Sequence, residues 1–134
     1  MICLDANCLI YLIDKNPLWG PKVVARLAAG KAAGDTIAVC DLARAECLIG
    51  PLRTGDAALL ADYQRFFLNS AVRMLPVTSA VSERAAEVRV ASLMKIKLPD
   101  ALHLAAAIEH GCGLFLTNDA LLTRCTAISV EVLL

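Results

Sequence analysis

The sequence predicts a single α/β domain: three layers, α/β/α, around a central, mostly parallel sheet of four or five strands. Three observations carry this. Short apolar runs (MICL, TIAVC, LFLT) each end at an acid or at a residue that starts a helix. Between them lie Ala- and Leu-rich segments with apolar residues at helical spacing. Strands that alternate with helices in this way pair in parallel through right-handed crossovers. A chain of 134 residues has room for one core and no second domain, so residues 1–134 are read as one unit.

Taken in order, Met1 to Leu4 and Thr36 to Cys40 read as buried strands. Pro21 to Ala29 reads as the helix that crosses between them, closed by Gly30 and Gly34. Asp41 is placed to cap a helix that runs to about Ile49, with Gly50-Pro51 as its stop, and Thr54 to cap the next. From Ala57 to Asn69, Leu59, Leu60, Tyr63, Phe66 and Phe67 share a face opposite Asp62 and Arg65, which makes an amphipathic helix. Val72 to Val77 is a short strand, at an edge or ending early because Pro76 has no N–H for a ladder. Thr78 or Ser79 caps a long helix with Glu83, Arg84, Glu87 and Arg89 outward. Pro99 suits the first turn of a further helix, LPDALHLAAAIEHG, ended by Gly111 or Gly113. LFLT is the third buried strand, Asn118 and Asp119 open a short helix, and Ile128 to Leu133 adds a last strand.

The hydrophobic fraction is 58%, but charged residues interrupt every apolar run before it could span a bilayer, so no membrane segment is expected. The opening lacks a basic leader and a small-residue cleavage site, which reads as mature, cytoplasmic protein. Six cysteines are scattered without a CxxC pair, a pattern of reduced, mostly buried thiols rather than a zinc site or a disulfide framework. Formal net charge is zero, which argues against a binder that depends on a broad basic field. A protein that grips phosphate through bound metal needs fewer lysines.

Parallel sheets bind ligands beyond the carboxyl ends of their strands, and four acids fall there. Asp5 follows the first strand, Asp119 follows LFLT, Glu46 is about one and a half turns into the helix after TIAVC, and Asp100 is in the first turn of its own. Gathered carboxylates repel and lose hydration, so such a cluster persists where cations or protons compensate it. Hard oxygen ligands point to Mg²⁺ or Mn²⁺, one or two ions, because magnesium keeps much of its water and takes one or two carboxylates directly. Such ions activate water and neutralise a phosphodiester's leaving oxygen without a histidine base. Singly, each acid reads as a helix cap, a favourable charge at a helix start or a solvated residue; their joint placement favours metal.

Asn7 and Thr117 are placed to orient a carboxylate or a water, and each also suits a cap; Asn118 divides evenly between site residue and cap. Arg44, Lys95 and Lys97 are candidate contacts for a phosphate backbone, and each alone reads as surface charge. Tyr11, Trp19, Tyr63 and the Phe66-Phe67 pair have the chemistry to stack bases, but packing is the simpler reading. The same holds for His103 in its Ala/Leu helix, and Asp41 is most simply a cap.

The segments LDANCLIYLID, CDLARAECLIG, LPDALHLAAA and LFLTNDALL, in this order and spacing, resemble the four acidic regions of PIN-domain nucleases, and most closely the VapC-type toxins of toxin–antitoxin pairs. The resemblance covers nearly the whole chain. The third segment, LPDALHLAAA, is far more specific than the opening DxN. The resemblance implies a magnesium- or manganese-dependent endoribonuclease with Asp5, Glu46, Asp100 and Asp119 as catalytic and metal-binding acids. It also implies an RNA substrate, a homodimer and a small protein antitoxin. One departure is Leu121 and Leu122, where relatives often carry an aromatic residue. A helix from Leu59 to Phe67 is a candidate apolar surface for a dimer partner or antitoxin. Two further readings of a PIN-like chain stay open: an RNA-processing nuclease outside toxin pairs, and a catalytically idle module that binds RNA or protein. A haloacid-dehalogenase phosphatase would place a second Asp at Asn7, and a receiver domain would pair acids after its first strand; neither pattern is met.

Overall fold

The five expected strands form one sheet, and every pairing in it is parallel. The computed structural model describes residues 1–134. Strands β1 (Ile2–Leu4), β2 (Ile37–Cys40), β3 (Val72–Leu75), β4 (Leu114–Thr117) and β5 (Ser129–Val132) lie in the order β3-β2-β1-β4-β5. The chain winds outward from β1 to β3, then returns to the other side of β1 for β4 and β5. The direction of winding therefore reverses between β1 and β4, the place where parallel sheets open a crevice.

Successive side chains of a strand point to opposite faces, and β1 shows what this does to the core. Cys3 enters one apolar cluster with Ala38, Cys40 and Phe115, covered by helices α5 (Ser79–Ala91) and α6 (Leu98–Glu109). Ile2 and Leu4 enter a second cluster on the other face, with Val39 and Leu116. That face is covered by α1 (Ala6–Ile13), α2 (Gly20–Ala32), α3 (Leu42–Thr54) and α4 (Ala57–Leu68). A 3₁₀ turn, Ala120–Arg124, follows β4. The three layers are those the sequence predicts, and no helix is long and apolar enough to cross a membrane.

Several boundaries differ from the expectation. The segment ANCLIYLI, to which no element is assigned above, is helix α1, and Asp5 caps it by accepting from the Ala6 N–H at 2.8 Å. Helix α2 runs through Gly30 to Ala32 and turns off at Gly34, whose φ of 88° is open to glycine at no steric cost. Gly30 is needed for space: a Cβ there would stand 2.7 Å from the buried Ile2 Cδ1. Helix α3 does not stop at Gly50-Pro51 but continues to Thr54 and ends at Gly55, at φ 69°. Thr54 does not cap α4; its hydroxyl donates back to the Gly50 carbonyl at 3.1 Å, and Asp56 is the cap, accepting from Leu59 N–H at 3.0 Å. Asp41 sits at the start of α3 but makes no capping bond, its carboxylate being taken by Arg44.

Strand β3 ends at Leu75, before Pro76, at the sheet edge. Thr78, rather than Ser79, caps α5. The α4 face proposed as a free apolar surface is core instead, with Tyr63 and Phe67 buried where α4 packs on β3, α1 and α3. All six cysteines are free and buried.

The cap assignment is directly testable. Asp56→Ala removes a side-chain acceptor for an exposed helix start and should cost about 1 kcal/mol in urea unfolding, whereas Thr54→Ala should cost clearly less. Equal losses would contradict the assignment.

Candidate active site

Asp5 is the best-anchored of the acids. It follows β1 at the centre of the sheet, is 4% exposed, and its backbone N–H continues the ladder to the Leu116 carbonyl at 2.9 Å. One carboxylate oxygen caps α1, and the other accepts from the Thr117 hydroxyl at 2.7 Å. Thr117, fully buried at the end of β4, also receives the Asp119 N–H at 3.0 Å, so one hydroxyl fixes two of the four acids relative to each other. Asp119 caps the 3₁₀ turn through Leu121 N–H at 3.0 Å.

Asp100 is in the first turn of α6, where unpaired N–H groups favour negative charge. Glu46 projects from α3, in the opposite helical layer, and its side chain is 34% exposed. Asp100 and Asp5 feel the charge of the acids around them. Burial pushes the Asp100 carboxyl above its ordinary range, and the negative charges of Asp5, Asp119 and Glu46 push it further, with His103 opposing. Burial likewise raises Asp5; His103, the Thr117 hydroxyl and the Ala6 N–H pull it down, while Glu46 adds to the rise.

His103 is the residue that sequence reasoning missed. It is not surface, and it is not mere packing. Fully buried one helical turn beyond Asp100, it contacts the Glu46 carboxylate through Nε2. Burial works to depress its pKa, but the Cys40 thiol, the Glu46 carboxylate and the charge of Asp5 outweigh it and push the value up to about 10. Its Nδ1 is buried without a hydrogen-bond partner of good geometry, a thiol being a weak one. The signal was present: at i+3 from Asp100, His103 is the one polar side chain in the run ALHLAAA and shares the acid's helix face.

The family model described as "PIN domain" matches residues 2–126 of the chain. The chain belongs to the PIN domain family. Among curated proteins none matches it in sequence. Its fold is shared with solved structures. A chain of VapBC2 from Rickettsia felis, bound to a DNA fragment from its promoter, superposes with a TM-score of 0.80 at 22% identity, covering 98% of both chains. DNA-bound VapBC from Salmonella typhimurium gives 0.79 at 17% identity, covering 99% of this chain and 98% of that one. FitAcB from Neisseria gonorrhoeae gives 0.74 at 20% identity, covering 97% and 96%.

Within this PIN domain the supporting residues divide. Asn7 accepts the Asn118 backbone N–H at 3.4 Å, and the Asn118 amide donates to the Tyr11 hydroxyl at 3.0 Å, so both asparagines stand beside the acids. Tyr11 in turn stacks on Trp19, with ring centroids 6.0 Å apart. Arg44 is spoken for: its guanidinium donates to Asp41 at 2.5 Å and lies 5.0 Å from the Phe67 ring centroid. Lys95 and Lys97 are exposed just ahead of α6, free of ion pairs, with Lys97 one turn before Asp100. Of the two leucines after the fourth acid, Leu121 is exposed and Leu122 is buried.

Hard carboxylate oxygens sharing unrelieved negative charge fit a divalent cation. No three His, Cys, Asp or Glu side chains are grouped as a ligand set for one ion. Magnesium takes one or two carboxylates directly and keeps its remaining waters, so the chemistry of these donors fits such an ion.

The charge burden gives a pH-dependent prediction. A carboxyl raised in the folded state costs stability above its folded pKa, and the cost is relieved as pH falls toward the unfolded value of about 4. Asp100→Asn should therefore raise the melting temperature in chelator by roughly 2–5 °C at pH 8, and the gain should shrink toward zero as pH approaches about 4. A variant melting below wild type at pH 8 would show that Asp100 carries no such burden.

Proposed function

We propose that this PIN domain is a divalent-metal-dependent endoribonuclease, the toxin of a toxin–antitoxin pair. The observation that carries the reading is the electrostatic burden on Asp5 and Asp100, to which the charges of Glu46 and Asp119 contribute, at the β1–β4 reversal of a PIN fold. A cluster so placed is costly to fold and is compensated when a cation binds. Asp5, Asp100, Asp119 and Glu46 would hold one or two Mg²⁺ or Mn²⁺ ions. When bound, such a cation supplies a Lewis acid that activates water and neutralises charge on the leaving oxygen.

The remaining chemistry belongs to the chain. Thr117 holds Asp5 and Asp119 in register, so that their oxygens need little reorganisation when the substrate phosphate arrives. Asn7 and Asn118 line the rim with polar groups able to orient a water or a ribose hydroxyl. Lys95 and Lys97, exposed and unpaired before α6, are placed to meet the phosphates that flank the scissile bond. Neutral overall charge limits the protein to such local contacts, which suits a single-stranded or loop substrate read by shape more than by long-range attraction.

The toxin role rests on the neighbours. The similar chains come from assemblies described as VapBC, FitAcB and a toxin–antitoxin complex from Klebsiella pneumoniae, the last superposing at a TM-score of 0.75. A small antitoxin and a second copy of the chain are the partners this reading expects, acting in the cytoplasm.

Purified protein should cleave single-stranded RNA in magnesium or manganese and be silent in chelator. Asp5→Asn and Asp100→Asn should each lower the rate by at least about 100-fold, or some 2.7 kcal/mol of transition-state stabilisation, without loss of the folded circular-dichroism spectrum. Full cleavage in chelator, or by either variant, would overturn the assignment.

A further inference from the structure

We propose that His103 is a positioning residue that fixes the Glu46 carboxylate at the acidic site by tying the two helical layers together across the ends of the strands. The proposal rests on the metal-dependent reading above and deepens it.

Asp5 and Asp119 have their own holders. Asp5 is pinned by Ala6 N–H and Thr117, and Asp119 by its cap to Leu121. Asp100 is in a first helical turn, where the unpaired N–H groups favour its charge, and its side chain is short. Glu46 differs. It is the longest of the four, a third exposed, and its carboxylate has one hydrogen-bond partner, His103. Without that contact its three side-chain torsions would be free to carry the charge away from its neighbours into water, which both entropy and repulsion favour.

The contact also crosses the sheet. Glu46 stands on α3, in the layer packed on Ile2 and Leu4, while His103 stands on α6, in the layer packed on Cys3 and Phe115. It therefore bridges side chains from opposite faces at the carboxyl edge where the acids meet. The core itself gains little from an imidazole there. His103 is enclosed by Ala101, Leu104, Ala105, Ala106 and Ala107 of its own helix, all fully buried, and its Nδ1 is left without a good partner. An aliphatic residue would fill such a position at no polar cost. What the imidazole adds is the one donor that reaches Glu46. Carboxylate and imidazole partners that orient metal ligands behave in this way in general, and their loss typically lowers metal affinity or activity 10- to 100-fold.

The test is a double-mutant cycle on the full chain, with two readouts: Mn²⁺ affinity by calorimetry, and kcat and KM for RNA cleavage. Thermal melts in chelator report the folded fraction. His103→Leu should weaken Mn²⁺ binding by about tenfold or more and lower kcat with little change in KM. His103→Gln, whose amide nitrogen reaches the place of Nε2, should recover most of both. In a Glu46→Ala background, His103→Leu should add nothing. Should His103→Leu not fold, His103→Asn, polar but too short to reach Glu46, takes its place against His103→Gln. Wild-type Mn²⁺ affinity and kcat per folded His103→Leu molecule would overturn the proposal. So would equal losses with and without Glu46, since a merely structural histidine lowers both backgrounds alike. If the wild type binds Mn²⁺ but cleaves no RNA, the nuclease reading fails, and the affinity cycle still decides the role of His103.

Discussion

Crowding of negative charge at one end of the sheet is the constraint on which the rest of the site depends. Asp5 is almost wholly buried, and Asp100 feels the charge of Asp5, Asp119 and Glu46. Left to themselves, carboxylates in this position would take up protons, turn outward or drive local unfolding. Each is prevented by a separate local device. The Thr117 hydroxyl joins Asp5 to the Asp119 backbone, the first turn of α6 favours Asp100, and a buried imidazole meets Glu46. On the proposed reading, these fixed contacts hold like charges together for a bound cation.

The fold supplies the place for those contacts. Because β1 lies between β2 and β4, the β1–β2 and β3–β4 connections run on opposite faces of the sheet, and the crevice opens over the carboxyl end of β1. The alternation of Cys3 with Ile2 and Leu4 divides the interior into two clusters. One supports the layer that bears Asp100 and His103, the other the layer that bears Glu46 and the helix capped by Asp5. Neither layer holds all four acids, so the integrity of the site depends on bonds that pass over the strand ends. Thr117 and His103 make those bonds, one within the sheet and one between the helical layers.

Much of this was legible in the sequence, for physical reasons that can be named. Buried parallel strands are short and apolar throughout, so MICL, TIAVC and LFLT stood out, and the acids that follow them fell at the strand ends. Helix α1 did not stand out because ANCLIYLI is apolar on nearly every side, which hides its period. Gly50-Pro51 was misread as a stop: proline lacks one N–H, yet α3 continues around it to Thr54, with the Thr54 hydroxyl serving the Gly50 carbonyl in the last turn. His103 was passed over because a lone histidine among alanines and leucines is compatible with packing. Its contact with an acid 57 residues away is visible only in the folded chain.

The account turns on whether the acids at the β1–β4 reversal hold a cation, and a crystal structure grown with Mn²⁺ decides it through anomalous scattering. The account predicts a manganese peak among the carboxylates of Asp5, Asp100, Asp119 and Glu46, with at least two of them as direct ligands and water completing the shell. A crystal that takes up manganese elsewhere on the chain, while these carboxylates are neutralised by protein side chains or by protons, would contradict it.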